Sequence, residues 1–273
     1  MSHEMHHFSM GLWVLFLAYA VSVIGSLVGL ICVQHAMAAA DRSVRWRLTA
    51  CAALSIGGVA IWLMHFLGMT GFDIPGSAVR YDLSLTVLSM VLSVGATGFG
   101  LVVVGSRASW PGRGVRLVAA GVVMGLAVSA MHYTGMWAIR IRGSIDHEPT
   151  FVIASIVIGV VAATAALWFS QVAGRWYLRV PAALLMGVAV ISLHYTGMAG
   201  VRVHVDPAAA PPVGVSVTQL LFPAFGLGMV VLGTAAVILL LTPSQADVEL
   251  DEQITRWVSS PAEPEPAPVS RSV

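Results

Sequence analysis

The sequence has no lysine, little charge of either sign and only two cysteines. Charged residues make up 10% of the 273 positions and hydrophobic residues 58%, whereas a typical soluble domain has about 25% charged residues. This composition excludes a soluble enzyme. A net charge of +1 excludes a basic nucleic-acid-binding protein. Cys32 and Cys51 lie in apolar runs and predict neither a disulfide framework nor a cysteine metal site. The composition is that of an integral membrane protein.

Carboxylates are missing from the middle of every long apolar segment, which argues against a proton pump or a proton-coupled transporter. No Ser/His/Asp arrangement and no glycine-rich phosphate loop is found, so we expect no enzymatic activity. A membrane-spanning helix needs about 20 mostly apolar residues. Seven segments qualify and predict an all-α membrane fold of seven transmembrane helices: Gly11–Gln34, Arg47–Thr70, Leu83–Val104, Arg116–Ala138, Phe151–Ser170, Pro181–Val201 and Thr218–Leu241.

The arginines are distributed unevenly between the connecting segments. The first, third and fifth connections hold eight arginines, and the second, fourth and sixth hold four, mixed with acidic residues. Because arginine-rich connections stay in the cytoplasm, we expect the N-terminus outside the cell and the C-terminus in the cytoplasm. The eight are Arg42, Arg45, Arg47, Arg107, Arg113, Arg116, Arg175 and Arg179.

Three of the even-numbered spans end in similar hexads at intervals of 67 and 62 residues. The chain is therefore read as three helix-hairpin repeats, at about 11–70, 83–138 and 151–201, followed by a seventh span at 218–241. All three hexads are expected at the outer ends of their spans. They are Met64-His65-Phe66-Leu67-Gly68-Met69, Met131-His132-Tyr133-Thr134-Gly135-Met136 and Leu193-His194-Tyr195-Thr196-Gly197-Met198.

Each hexad carries a histidine and a methionine four residues apart, which places both on one helix face. Imidazole and thioether together suit copper, above all Cu(I), better than magnesium, calcium or manganese. The sequence thus predicts copper ligands at His65, His132 and His194 with Met69, Met136 and Met198. Met64 and Met131 point about 100° away from the histidines that follow them, so they can serve only a neighbouring helix's site. The glycine of each hexad permits close approach of another helix.

A structural role for the same residues remains open, because methionine in a membrane helix usually packs and duplication also copies structural residues. His147 and His204, in the outer connections, are expected to be solvated. His35 is expected at the cytoplasmic end, away from the hexads. Met124 and Met186 recur across two repeats and are interpreted as packing residues.

The two termini differ in composition from the spans. Residues 1–10 form a His/Met-rich extracytoplasmic leader, which either captures metal or is merely polar. Residues 242–273 are acidic and proline-rich and are expected to form a disordered cytoplasmic tail, with one short amphipathic helix over Asp247–Val258.

The three hexads resemble the MHYT domain, a bacterial integral-membrane sensory module, over about residues 8–241. The middle copy matches the name letter for letter, whereas Leu193 replaces Met in the third copy and Phe66-Leu67 replaces Tyr-Thr in the first. The resemblance implies a multi-pass protein of the bacterial plasma membrane. Family members often continue into output domains, so this chain is interpreted as a stand-alone member that signals through a partner, with its tail as the contact.

The resemblance also implies a sensor of a diatomic gas (O2, CO or NO) or of redox state, acting through copper. The implied ligands are His65, His132, His194, Met64, Met69, Met131, Met136 and Met198. Three alternatives remain: a copper-handling or assembly protein, a b-type haem protein with two of the histidines as axial ligands, and a membrane scaffold in which the hexads only pack helices.

Overall fold

A computed structural model describes residues 11–106, 112–241 and 253–256. The leader at 1–10 and most of the tail at 242–273 lie outside these ranges, so the expectations for them stay predictions. The described part contains seven helices long and apolar enough to cross a membrane. They are α1 Trp13–Ala38, α2 Arg42–Gly71, α3 Leu83–Gly105, α4 Arg113–Trp137, α5 Pro149–Val172, α6 Trp176–Ala199 and α7 Val217–Leu241.

These helices confirm the predicted seven-span all-α membrane fold. Several begin earlier than hydropathy indicates, because the apolar run marks only the part of a helix that needs lipid. Helix α2, for example, begins at Arg42 because the Asp41 side chain accepts a hydrogen bond at 2.5 Å from the Ser43 backbone N–H. Such an N-cap starts a helix in the polar region outside the membrane.

The first six helices form a ring in chain order, in which each helix packs on its neighbours and α6 returns to α1. Helix α7 lies outside this ring, against α1 and α2. Glycines permit the close packing: a Cβ on Gly125 of α4 would lie 2.4 Å from the Val160 Cα atom of α5, and one on Gly25 of α1 would lie 2.7 Å from the Ala60 backbone nitrogen of α2. Small residues at contacts are typical of membrane helices.

Helix α2 departs from the other two histidine-bearing helices. Its middle part, Leu54–Leu63, is a π-helix, and the hexad follows as a short α-helix, Met64–Gly68, and a 3₁₀ turn, Met69–Gly71. The Ser93 hydroxyl of α3 donates a hydrogen bond to the Gly57 carbonyl within this stretch, at 2.6 Å. A π-helix has a wider turn than an α-helix and so changes the direction in which His65 points.

Short strands at the hexad end of the bundle were not anticipated from the sequence. They are β1 Arg80–Tyr81, β2 Ile139–Arg140, β3 Gly143–His147 and β4 Val201–Val205. The pairs β1–β2 and β3–β4 are antiparallel, and Tyr81 also bridges Val215. The connections that follow α2, α4 and α6 are therefore tied to one another at the end where the hexads lie.

Asp82 stabilises the start of α3 and links it to β2. Its carboxylate accepts hydrogen bonds from the Ser84 and Leu85 backbone N–H groups at 3.0 and 3.2 Å, and it forms a 3.0 Å ion pair with Arg140. The Ser84 hydroxyl also donates to this carboxylate, at 2.5 Å. This side-chain hydrogen bond, followed by that of the Leu85 N–H and then by Arg140, lowers the pKa of Asp82 to about 2. The unfolded carboxyl has a pKa of about 3.9.

Because the folded pKa is the lower one, ionised Asp82 stabilises the fold above about pH 4, and this contribution is lost as the pH falls towards 2. We expect Asp82→Asn to lower the melting temperature at pH 7. The melting temperatures at pH 7 and pH 3 should also differ less in this variant than in the unmodified protein. Circular dichroism measures both effects. Asp73→Asn removes the same charge at an exposed position and is the control. Equal melting of the two variants at pH 7 would contradict the assignment.

Candidate metal centre

Three histidines from three different helices meet at the hexad end of the bundle. The Nδ1 atom of His65 lies 3.0 Å from that of His194 and 3.2 Å from that of His132. The three rings meet edge to face, with centroids 4.9 to 5.4 Å apart. All three side chains are buried, with at most 1% of each exposed. The hexads therefore converge on one point.

The glycine of each hexad receives the histidine of another repeat, in cyclic order. A Cβ on Gly135 would lie 2.6 Å from His65 Nε2, one on Gly197 would lie 2.4 Å from His132 Nε2, and one on Gly68 would lie 2.7 Å from His194 Nε2. Each imidazole thus has its Nε2 edge against the backbone of the next repeat, and the Nδ1 atoms point to the centre. Glycine is required here because any side chain would occupy the space of the ring.

Both short contacts use the same ring nitrogen of His65. The Nδ1 atom of a neutral imidazole carries either one N–H or one lone pair, so it can direct one straight N–H···N hydrogen bond, and the second contact, at 3.0 or 3.2 Å, must share that bond in a bent geometry. A cation between three Nδ1 lone pairs would instead be bound by all three.

The nitrogen spacing fits a metal ion. With metal–nitrogen bonds of about 2.0 Å, two imidazole nitrogens on a tetrahedral ion lie about 3.3 Å apart. The observed 3.0 and 3.2 Å are slightly shorter, so a small outward shift of the rings accommodates an ion. Among the described residues, these three form the one group of histidine, cysteine or carboxylate side chains close enough to share a metal.

The second ring nitrogen of His65 and of His132 is buried, and neither has a hydrogen-bond partner among the described residues. Metal-binding histidines usually donate this N–H to an acceptor that fixes the ring. Here the glycine backbones of the neighbouring repeats lie against these ring edges.

The methionines predicted as ligands are all buried in the same three helices. Met69, Met136 and Met198 follow their histidines by one turn, and at most 3% of each side chain is exposed. Met64 and Met131 are equally buried. In the third repeat, Leu193 stands at the equivalent position, and it packs against α5, where a Cβ on Gly159 would lie 2.9 Å from its Cδ1 atom. The role of the five methionines as sulfur ligands stays a prediction.

His147 is placed differently from the expectation. It ends strand β3 and is half-buried rather than solvated, with its ring 5.4 Å from that of Tyr133. The Tyr133 hydroxyl forms a 2.7 Å hydrogen bond with Ser155. Burial lowers the pKa of His147, against the opposing effect of Asp146. Tyr133, which directly follows His132, thus separates His147 from the histidine cluster. The sequence does not indicate that His147 is half-buried, because its position depends on the pairing of strand β3 with β4.

The remaining candidates lie apart from the cluster. His204 is exposed and pairs with Asp146 at 3.4 Å, in agreement with a solvated residue. His35 contacts the Ile31 carbonyl at the opposite end of α1. Cys32 and Cys51 are free and buried. The Met124 sulfur packs on Gly100, where a Cβ would lie 3.1 Å from it.

Comparison with known proteins identifies the repeat. The MHYT family, described as a bacterial signalling protein N-terminal repeat, matches residues 58–116 and 125–183. These two matches contain the first and second hexads. The third hexad lies beyond them, and the structure joins His194 to the other two histidines.

Several curated signalling proteins are similar to this chain. The bifunctional diguanylate cyclase/cyclic di-GMP phosphodiesterase MucR of Pseudomonas aeruginosa is 42% identical over 150 residues, which cover 53% of this chain and 21% of that protein. The cyclic di-GMP phosphodiesterase NbdA of the same organism is 34% identical over 161 residues, 56% of this chain and 20% of that protein. The signaling protein YkoW of Bacillus subtilis is 29% identical over 164 residues, 58% and 20% of the two chains.

The matched region spans about a fifth of the length of these relatives. No solved structure matches the chain. The two repeat matches agree with the seven apolar helices and with the recurrence of the hexads on three of them. The chain therefore belongs to the MHYT family, a repeat of bacterial signalling proteins.

Proposed function

We propose that this chain is a membrane sensor that holds copper at His65, His132 and His194 and responds to a diatomic gas or to redox state. The observation that carries the proposal is the convergence of three buried Nδ1 atoms, with neighbouring distances of 3.0 and 3.2 Å. Intramembrane ionisable residues are costly and usually functional. Met69, Met136 and Met198 are proposed as additional sulfur ligands.

The donors around the cluster favour copper over harder metals. Imidazole suits zinc, copper, iron and nickel, whereas magnesium, calcium and manganese prefer oxygen ligands. No carboxylate belongs to the cluster among the described residues, and buried thioethers follow the histidines in sequence. Copper supplies reversible electron transfer and binding of small neutral ligands, which dissolve in an apolar protein interior. The proposal assigns the chain no catalytic role.

The three histidines come from three separate hairpins, α1–α2, α3–α4 and α5–α6. If the three histidines move apart or together when the copper changes its ligand or oxidation state, the hairpins move relative to one another. A gas ligand shifts the equilibrium between two hairpin arrangements only if its affinity for the two differs. Since the relatives are named as cyclic di-GMP enzymes and signalling proteins, we propose that the signal passes to a cytoplasmic partner, through residues 242–273. We also propose the orientation that the arginine distribution favours, with the N-terminus and the hexads outside the cell and the C-terminus in the cytoplasm.

The alternatives fit the cluster less well. A haem with two axial histidines lies between its ligands, and Nδ1 atoms 3.0 Å apart leave no space for a macrocycle. A scaffold does not require three nitrogens to face each other. A copper-handling or assembly protein would use the same ligands and is the second candidate.

Carbon monoxide is the probe that tests the sensing step. We expect protein loaded with Cu(I) to give an infrared band of bound CO that shifts when 13CO is used, and a variant lacking all three histidines to give none. His204→Ala, at an exposed position on the same end, keeps the band and is the control. Protein that retains copper but shows no CO band would overturn gas sensing and favour copper handling.

A further inference from the structure

The end of the bundle opposite the histidines contains a cavity of about 720 Å³. It lies between the first turns of α2 and α4 and the last turns of α1, α3 and α5. Its lining includes Arg45, Arg113 and Arg116, together with Gln171. Val33, Ala36, Leu101 and Val104 are among its apolar lining residues. The cavity lining is therefore partly cationic and partly apolar.

Two of the arginines form hydrogen bonds with neutral groups. One terminal nitrogen of Arg116 donates to the Ser106 carbonyl and hydroxyl at 2.9 and 2.7 Å, and Arg113 donates to the Gln171 side-chain oxygen at 3.3 Å. The Nε atom of Arg116 is buried and has no hydrogen-bond partner among the described residues. A buried guanidinium donor without an acceptor is costly, so this position favours a ligand that supplies an oxygen.

No acidic side chain neutralises these arginines in the part of the chain that the structure describes. Asp41 lies at this end, but it hydrogen-bonds with Ser43 and faces Arg47, and the ion pairs of the other described acids lie at the histidine end. The N-termini of α2 and α4 add partial positive charge at the same place. These features match an anion with several oxygen atoms, and guanidinium groups match phosphate in geometry.

The apolar lining residues distinguish a free anion from a lipid. A soluble phosphate makes no use of a wall of Val33, Leu101 and Val104, whereas a phospholipid places acyl chain beside its phosphate. Trp46 also lines the cavity and is half exposed, as is typical of tryptophan at the headgroup level of a membrane. We propose that this cavity binds the phosphate group of one anionic phospholipid between α2 and α4, with its acyl chain against α1 and α3.

The test compares lipids and variants on the full-length protein. We expect phosphatidylglycerol, and not phosphatidylcholine, to raise the melting temperature of the purified protein and to remain bound in native mass spectrometry. An arginine that contacts the bound anionic headgroup should contribute about a factor of 5 to its binding. Arg113→Gln with Arg116→Gln should therefore weaken phosphatidylglycerol binding about 30-fold.

The matched control is Arg42→Gln with Arg47→Gln, which removes the same charge from exposed positions at the same end. Neither residue lines the cavity, so this variant should bind phosphatidylglycerol nearly as well as the unmodified protein. Equal loss in both double variants, or equal effects of the two lipids on the unmodified protein, would overturn the proposal. Inorganic phosphate is the third probe: if it stabilises the protein as much as phosphatidylglycerol does, the site takes a soluble anion and the lipid assignment is wrong.

Discussion

Replacing His65 with alanine is expected to lower the affinity for Cu(I) by more than about 100-fold, since loss of a second-shell partner alone costs 10–100-fold. His65 is the central member of the cluster because its Nδ1 atom lies within 3.2 Å of both other Nδ1 atoms. Without the His65 imidazole, the site keeps only two of its three nitrogen ligands, those of His132 and His194. Competition with a chromogenic Cu(I) chelator under reducing conditions measures the effect.

His204→Ala is the matched control, because it removes an exposed histidine at the same end of the bundle and should leave Cu(I) affinity unchanged. Melting of each variant separates loss of ligand from loss of fold. A folded His65→Ala protein that binds Cu(I) as tightly as the unmodified chain would exclude the cluster as the copper site.

Alanine at the hexad glycines is expected to weaken Cu(I) binding by about tenfold or more, although no ligand is removed. A Cβ on Gly135 would lie 2.6 Å from His65 Nε2, and one on Gly197 would lie 2.4 Å from His132 Nε2. Contacts that short do not occur, so the rings must move away from the position that directs Nδ1 to the centre. Displacement of about 1 Å is enough to spoil a binding site.

Gly95→Ala provides the control for this series. It makes the same substitution in the middle of a membrane helix, α3, at a position where a Cβ meets nothing within 4 Å. We expect it to bind Cu(I) like the unmodified protein. If Gly135→Ala and Gly95→Ala bind equally, the glycines serve helix packing alone and do not position the imidazoles.

The sequence predicts the seven spans well because each helix must satisfy its backbone hydrogen bonds within an apolar segment of fixed length. It also identifies His65, His132 and His194 as equivalent, since internal repetition is visible without coordinates. Repetition says nothing about whether equivalent residues face one another. That the three meet depends on the closed ring of hairpins, which is a property of helix packing.

Other features depend on contacts between residues distant in the sequence. The π-helix at Leu54–Leu63 has no pattern of its own in the apolar run. The strand pairing that places His147 beside Tyr133 joins the connections after α4 and α6. The arginine-lined cavity is formed by the ends of five helices. The positive-inside rule uses these arginines only to assign orientation, so it does not indicate that three of them line one cavity.

The copper content of protein purified from its own membranes without chelators, measured by mass spectrometry, tests the central claim that the three hexads form one site. The account predicts one copper per chain, and none after His65, His132 and His194 are all replaced by alanine. Protein that binds no copper even when Cu(I) is supplied under reducing conditions, or that keeps its copper in the triple variant, would contradict it.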